Sequence, residues 1–492
     1  MSTSVRGALL FSFAERYALI VLGLASNLLI ARLLTPAEIG VYSVSLAVMS
    51  IAQVLRDFGV ASYLIQEPEL DDARIRTALG VTLALGLTLG GGVLLLAPWI
   101  AEFYREPRMR ELLWVCSLNF LLLPFSTVSL ALLRRRMAFK QLAVVNMLAT
   151  AVGAVVSVGL SWLGWGPLGL AIGTVTVSAV TGLAAWVAQG ERRLLLPSLS
   201  HWRQLFRFGA QSSAMGIVTS VSMDINDLAV GKLMGFTPVA MLSRAQGLMN
   251  LFHRDLMAAV RNVAYPAYAK AMREKQAMEP LYAISVTHVT VVAWPFYGFV
   301  ALFALETLRL LFGPQWDAAA PMVPVFCLAG ALAALGSLIG NLVIAMGRLD
   351  LMARAELVFQ PARAALVVLA AFLWRDPLAC AVALALATAA QLPLLYWVKQ
   401  KLLPSDWALL RDWLARSLGV AVLSLLLPLA IAVIGGLGRA QPVSGWWFGL
   451  AILSCMLSWL LALVVCRHPM AADPAFIRLT RGRLRRRDNA AS

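Results

Sequence analysis

The sequence predicts an all-α polytopic membrane protein of about fourteen transmembrane helices, built as two parallel-repeat six-helix lobes plus two C-terminal helices. Three observations predict it. Hydrophobic residues fill 60% of the 492 positions and charged ones only 13%, with a mean hydropathy of +0.79. Soluble domains average roughly 45–50% apolar and about 25% charged residues, so lipid is the solvent. Helix-length apolar runs follow one another along the chain, and a set of landmarks in the first half recurs in the second.

A spanning helix needs about 20 mostly apolar residues. Runs that meet this lie near 8–31, 39–63, 77–101, 111–133, 141–163, 168–189, 205–231, 239–262, 281–305, 318–346, 351–373, 377–398, 412–436 and 445–466. They are continuous, which excludes the alternating strands of a membrane barrel. Leu, Ala and Val dominate them, and helices satisfy their backbone internally. The first run carries Glu15 and Arg16, is too long for the apolar core of a signal peptide and lacks a cleavage site. It is read as a retained first helix.

The positive charges set the topology. If both termini are cytoplasmic, the inner segments collect Arg74, Arg76, Arg134, Arg135, Arg136, Lys140, Lys270, Arg348, Lys399, Lys401 and the tail RLTRGRLRRRD, among others. The outer side receives Arg32, Arg105, Arg108, Arg110, Lys232, Arg309, Arg375 and Arg439. The bias exceeds three to one, and Lys/Arg bias over short loops sets orientation. The tail reads as a topology anchor on anionic headgroups; nothing pairs it with a nucleic-acid fold. Cys116, Cys327, Cys380, Cys455 and Cys466 sit in apolar runs without paired spacing, so neither a metal site nor a disulfide framework is expected. No loop is long enough for a catalytic domain.

The repeat rests on three matches. Thr35-Pro36 recurs as Thr237-Pro238, 202 positions on. Phe103 of AEFYREPRMRELLW answers to Phe312 of RLLFGPQWDAAAPM, 209 on, and Arg136 of ALLRRRMAFKQL to Arg348 of VIAMGRLDLMAR, 212 on. Each copy holds six helices, an even number, so the second enters the membrane in the same direction. The copies are then related by an axis along the membrane normal, a transporter architecture with the substrate site between lobes. The expected divisions are an N-terminal lobe over 1–200, a second lobe over 201–402, helices thirteen and fourteen over 403–467 and a basic tail over 468–492. Proline at each corner suits a helix start, where its missing N–H is an orphan anyway, and the Thr before it can cap.

Charges at bilayer depth are costly and mark pathways. Glu15 and Arg16 lie in the first span, and Arg56 and Asp57 end the second. In the seventh, Ser213, Ser220, Asp224 and Asp227 share a stripe; in the eighth, Gln246, Asn250, His253, Arg254 and Arg261; in the eleventh, Glu356, Gln360 and Arg363. The candidates for a hydrated cationic cavity are Arg244, Arg254, Arg363, Arg56, Arg16, Gln360 and Asn250. Glu15, Asp57, Asp224, Asp227 and Glu356 are the ion-coupling or charge-balancing candidates. The alternative is structural ion pairing, or snorkelling near helix ends. Gly86-x-x-x-Gly90 reads as a close helix contact.

The string RGALLFSFAERYALIVLGLASNLLIARLLTPAEIGVYSVSLAVMSIAQVLRDFGVASYLIQE resembles the opening of bacterial polysaccharide flippases. These are the Wzx-like lipid-linked oligosaccharide exporters of the multidrug/oligosaccharidyl-lipid/polysaccharide superfamily. AEFYREP, LLRRRMAFK, LFGPQWDAAAP and AMGRLD are similar to that family too, and Met241-Leu242 stands where it usually has a Gly-aromatic pair. The resemblance implies two lobes and transfer of an undecaprenyl-pyrophosphate-linked oligosaccharide repeat from the cytoplasmic to the outer leaflet of a bacterial inner membrane. The product would feed exopolysaccharide, capsule or O-antigen synthesis. It further implies no cofactor, coupling to a proton or sodium gradient, and a polysaccharide polymerase and chain-length regulator as partners. Arginine would suit the pyrophosphate through its planar fork.

Two other functions remain open from sequence. A cation-coupled multidrug exporter on the same scaffold should show more acidic than basic cavity residues. A membrane enzyme of polysaccharide assembly should show a sizeable outer loop with catalytic groups, whereas Glu102, Glu106, Glu111, Asp317 and Asp376 lie in short turns. No GxxxxGK[ST] phosphate loop occurs.

Overall fold

The backbone is described, in a computed structural model, at residues 2–57, 59–67, 69–190, 196–200, 202–435 and 443–472. Side chains are described there except at 2–17, 57, 62, 66, 204, 206–219, 255 and 259. Among the described residues there is no strand. The chain divides into two compact units, Met1–Ala240 with Ala371–Arg375, and Met241–Ala370 with the chain from Asp376 onward.

The first unit holds α1 (Ser2–Leu33), α2 (Pro36–Asp57), α3 (Val60–Gln66), α4 (Asp72–Tyr104), α5 (Arg108–Arg135), α6 (Phe139–Trp162), α7 (Pro167–Ala188) and α8 (Trp202–Met234). The Thr-Pro-Ala-Glu corner before α2 is a capping box. The Thr35 N–H and hydroxyl both donate to the Glu38 carboxylate at 2.8 and 2.7 Å, and the Glu38 N–H returns to the Thr35 hydroxyl at 3.4 Å. Glycine at position 59, with φ 66°, turns the chain out of α2 into the short α3, so the second span ends earlier than its apolar run. Small residues set the helix spacing. Gly86 of α4 abuts the Phe120 carbonyl of α5, and Gly90 stands one turn on, where an added Cβ would lie 3.1 Å from the Phe120 Cβ. Gly40 of α2 abuts the Phe236 carbonyl, so the first Thr-Pro corner touches the second.

The second corner is built differently. Gly235, with φ 90°, ends α8, and α9 (Phe236–Asn250) starts one residue before Thr237. Pro238 therefore lies within the first helical turn, where its missing N–H is still an orphan, and Thr237 is not the cap. The unit boundary falls inside α9.

In the second unit α9 runs into a π-helical segment, Leu251–Leu256, and then α10 (Met257–Arg273). There follow α11 (Met278–Leu302), α12 (Ala304–Leu311), a 3-10 segment Pro314–Met322, α13 (Val323–Gly336), α14 (Ile339–Ala345) and α15 (Leu349–Trp374). Then come α16 (Pro377–Leu402), α17 (Trp407–Ile434), α18 (Gly445–Val465) and a 3-10 turn Pro469–Ala472. Asp376 and Asp406 cap α16 and α17 by accepting from Leu378 and Leu409 N–H at 3.1 and 3.0 Å.

Polar side chains tie α17 and α18 onto α11. The Trp459 indole donates to the Val291 carbonyl at 2.9 Å, and Ser417 meets Thr290 at 3.2 Å. Buried His468, beyond the end of α18, lies 3.1 Å from the Ser417 hydroxyl through Nε2, while its Nδ1 accepts from the Met470 N–H at 3.2 Å. At the end of α16, fully buried Lys399 pairs with Glu279 at 2.5 Å, donates to Ser405 at 2.8 Å and lies over the Tyr282 ring. That pair holds the elbow into α17, since Glu279 also accepts the Asp406 N–H at 3.1 Å.

Eleven helices among the described residues are long and apolar enough to cross a membrane. The other three expected spans fall on α1, α8 and α9 with the π segment and the start of α10. Large apolar side chains are exposed along the outside, with Trp99, Trp162, Trp374 and Trp446 near one set of helix ends and Trp202, Trp397 and Trp407 near the other. Such tryptophans mark the two membrane–water interfaces. The molecule is a multi-pass membrane protein.

Two predictions follow from this packing. Gly86→Leu drives a side chain into the α5 backbone and destabilises the fold by at least the roughly 1–3 kcal/mol of ordinary overpacking. Gly91→Ala, with nothing within 4 Å of its Cβ, leaves the heat-inactivation midpoint in detergent unchanged; equal behaviour of the two variants would refute the contact. Burial, reinforced by His288 and Arg416, pushes His468 down to about 4. An unfolded His titrates near 6.5, so between those values the unfolded chain binds more protons, and stability falls as pH drops through that window. The thermal midpoint should therefore drop from pH 7 to pH 5 less steeply in His468→Gln than in the native chain.

Candidate functional site

Within the first unit, the expected site residues gather on α2 and α8, which pack side by side. Ser50 of α2 donates its hydroxyl to the Asp224 carboxylate of α8. Asp227 lies three residues further on, on the same face. Arg56, 8% exposed, stands over the Phe120 ring of α5 with its guanidinium carbon 5.8 Å from the centroid. Tyr42 shares a 2.7 Å hydrogen bond with Thr174 of α7. The side chains of Glu15, Arg16 and Asp57 lie outside those described, as does the tail beyond residue 472.

In the second unit Arg244 of α9 is half-buried, its guanidinium 5.0 and 4.9 Å from the ring centroids of Phe312 and Trp316. Those rings come from the FGPQW stretch around the start of the 3-10 segment, where Arg309 and Asp317 also pair. A desolvated cation over two aromatic faces is held by up to about 2 kcal/mol. Arg244 therefore packs against that segment as well as facing its own helix neighbours.

Nearly two turns beyond Arg244, Asn250 precedes the π segment. The Arg261 guanidinium reaches back about two turns to two carbonyls of that segment. It donates to the His253 and Arg254 carbonyls at 3.1 Å each. The Asn341 amide of α14 donates in turn to the Arg261 carbonyl at 3.3 Å. Arg254 itself projects an exposed side chain from this segment.

The third cluster joins α15 to α16. Glu356 accepts from the Gln360 amide at 2.6 Å and from the Gln391 amide at 3.1 Å, one on each carboxylate oxygen. Gln360 is 6% exposed, and its Oε1 has no hydrogen-bond partner among the described residues. Arg363, one turn further along α15, is half-buried, and its Nε has no hydrogen-bond partner among the described residues. Sequence reading brought Glu356, Gln360 and Arg363 together by spacing. It missed Gln391, whose only signal is one amide in the apolar run ALATAAQLPLL, and it missed Ser50 for the same reason. Among the described residues no group of His, Cys, Asp and Glu could hold a metal ion.

The chain matches the family described as "Polysaccharide biosynthesis protein" over residues 29–321. It is 24% identical over 339 residues to the lipopolysaccharide biosynthesis protein WzxC of Escherichia coli (strain K12), covering 68% of each chain. It is 26% identical over 303 residues to the succinoglycan biosynthesis transport protein ExoT of Rhizobium meliloti (strain 1021), where the match spans 61% of each. Its fold superposes on the lipid II flippase MurJ in an inward closed conformation with a TM-score of 0.74 at 12% identity, covering 93% of this chain and 99% of that one. An inward-facing multidrug resistance MATE transporter of the MOP superfamily follows with a TM-score of 0.59 at 17% identity, over 78% and 94%. The family match covers more than half of the sequence, and this chain belongs to the polysaccharide biosynthesis protein family.

Proposed function

We propose that this protein is a transporter, not an enzyme, that moves a polyprenyl-pyrophosphate-linked oligosaccharide repeat unit across a bacterial inner membrane for surface polysaccharide synthesis. The observation that carries the reading is the kind of charge placed at bilayer depth. Arg244, Arg254, Arg261 and Arg363 lie inside helices of an otherwise apolar chain. Maintaining guanidinium groups there is costly, and a pyrophosphate headgroup is a cargo whose charge would use Arg254 and Arg363. A cationic drug would be repelled.

The relatives named for lipopolysaccharide biosynthesis and succinoglycan transport support the same cargo class. The fourteen spans read from sequence form two six-helix lobes, 1–200 and 201–402, with both termini cytoplasmic and alternating access between them. In this reading Arg254 and Arg363 contact the diphosphate, with Arg16, Arg56, Arg244, Asn250 and Gln360 along its path. Glu356, Asp224 and Asp227, with Glu15 and Asp57, balance charge or bind the proton or sodium ion that drives the cycle. A polymerase and a chain-length regulator would take over the delivered units.

Loss of one charge-assisted contact removes about 1.5–3 kcal/mol. Arg254→Ala and Arg363→Ala should each lower surface polysaccharide at least tenfold at matched protein level, by the same estimate of about 1.5–3 kcal/mol. In a deletion strain, lipid-linked repeat units should accumulate facing the cytoplasm, with drug susceptibility unchanged. Normal export in both variants would remove the two arginines from the path. Repeat units appearing outside the deletion strain would overturn the transport reading itself.

A further inference from the structure

We propose that the second unit carries a binding slot for one anionic phospholipid at the start of α17, separate from any cargo path. An apolar groove of about 410 Å3 opens there on the lipid-facing side, lined by Trp294 of α11, Leu335 of α13, Tyr396 of α16 and a stripe of α17. That stripe is Trp407, Leu410, Arg411, Leu414, Ala415 and Leu418. Arg411, Leu414, Ala415 and Leu418 follow the i, i+3, i+4, i+7 spacing of one helix face. They mark out a slot about 10 Å deep along the helix axis.

The polar atoms of its aromatic walls are turned inward and satisfied. The Trp294 indole donates to the Ala331 carbonyl at 3.0 Å and the Tyr396 hydroxyl to the Leu335 carbonyl at 3.1 Å. Hydrocarbon is therefore what the slot accepts over most of its length. At its mouth stands one charge. Arg411 is exposed and makes no ion pair among the described residues. The carboxylates nearest in sequence are engaged elsewhere, Asp406 as the cap of α17 and Asp412 with Arg416 at 2.9 Å. Trp407, stacked 5.5 Å from the Tyr396 ring, flanks the mouth at interfacial depth.

A hydrocarbon chain ending in one unbalanced cation describes an acyl chain with an anionic headgroup. The single guanidinium fits a singly charged phosphodiester. A pyrophosphate would call for several donors, so the cargo lipid is not the occupant. The Lys/Arg bias places this mouth at the cytoplasmic leaflet, which is the anionic one. This inference does not rest on the export reading.

The test is native mass spectrometry of the purified full chain, delipidated and reloaded with phosphatidylglycerol and phosphatidylcholine of identical acyl chains. The glycerol-to-choline adduct ratio should be about fivefold higher in the native protein than in Arg411→Gln, from one lipid-facing cation. Total lipid adducts should be retained in that variant. Ala415→Phe, itself at a lipid-exposed position, fills the slot and should lower both adducts alike. Equal ratios in native protein and Arg411→Gln would overturn the proposal. So would full retention of both lipids in Ala415→Phe, or displacement of phosphatidylglycerol by equimolar undecaprenyl phosphate.

Discussion

Every backbone polar group at bilayer depth has to find its partner inside the protein, because hydrocarbon offers none. That constraint organises this molecule at each level. Ser and Thr hydroxyls along the helices donate back to carbonyls three or four residues earlier, as Thr82, Thr174 and Ser285 do. Between helices the few free donors become joints. Trp459 and Ser417 fasten α18 and α17 to α11, and buried Lys399 draws Glu279, Ser405 and the Asp406 backbone into one elbow. Where the backbone changes pitch, at the π segment, a guanidinium donates to two of its carbonyls. An ion pair as buried as Lys399 with Glu279 is weak evidence of net stabilisation, yet removing one partner would strand the other. Such a group persists because it fixes a geometry.

The duplicated corner shows how one sequence feature takes two solutions. Before α2, Thr35 and Glu38 close a reciprocal cap. Before α9, valine occupies the place of alanine and alanine that of glutamate, in Thr237-Pro238-Val239-Ala240. Without the acid no box can form, and the chain uses Gly235 to stop α8 instead. Both apolar runs that follow the corners are then broken late, 39–63 at Gly59 and 239–262 at the π segment. The cation–aromatic partners also correspond. Phe103 receives Lys232, and Phe312, its counterpart in the repeat, receives Arg244.

How much of this was legible in sequence depended on the range of the signal. Helices, the Thr35 cap and the close contact at Gly86 are local or periodic features, and the bare chain shows them. The amphipathic stripes also placed Glu356, Gln360 and Arg363 on one face. What escaped were partners from distant parts of the chain. Nothing near Arg244 announces Phe312 and Trp316, and a single glutamine at 391 in an alanine-leucine run does not declare that it closes on Glu356. The π segment left no signature either, since LFHRDL is an ordinary helical sequence until Arg261 folds back over it. Breaks such as Gly59 shortened spans that hydropathy alone extends.

These contacts show on what the fold spends its arginines. Arg135 is spent on the Leu64 and Ile65 carbonyls at the end of α3, Arg76 on Leu196, and Arg261 on the π segment. Arg244 lies flat on two aromatic rings. Arg363 is different. Its Nε has no hydrogen-bond partner among the described residues, beside a carboxylate already occupied by two amides. A donor left unmet in hydrocarbon is costly, and buried polar atoms of Asn119, Tyr268 and Gln360 bear a cost of the same kind. Under the proposed export reading, an anionic headgroup passing Arg363 would relieve that cost for as long as it stayed.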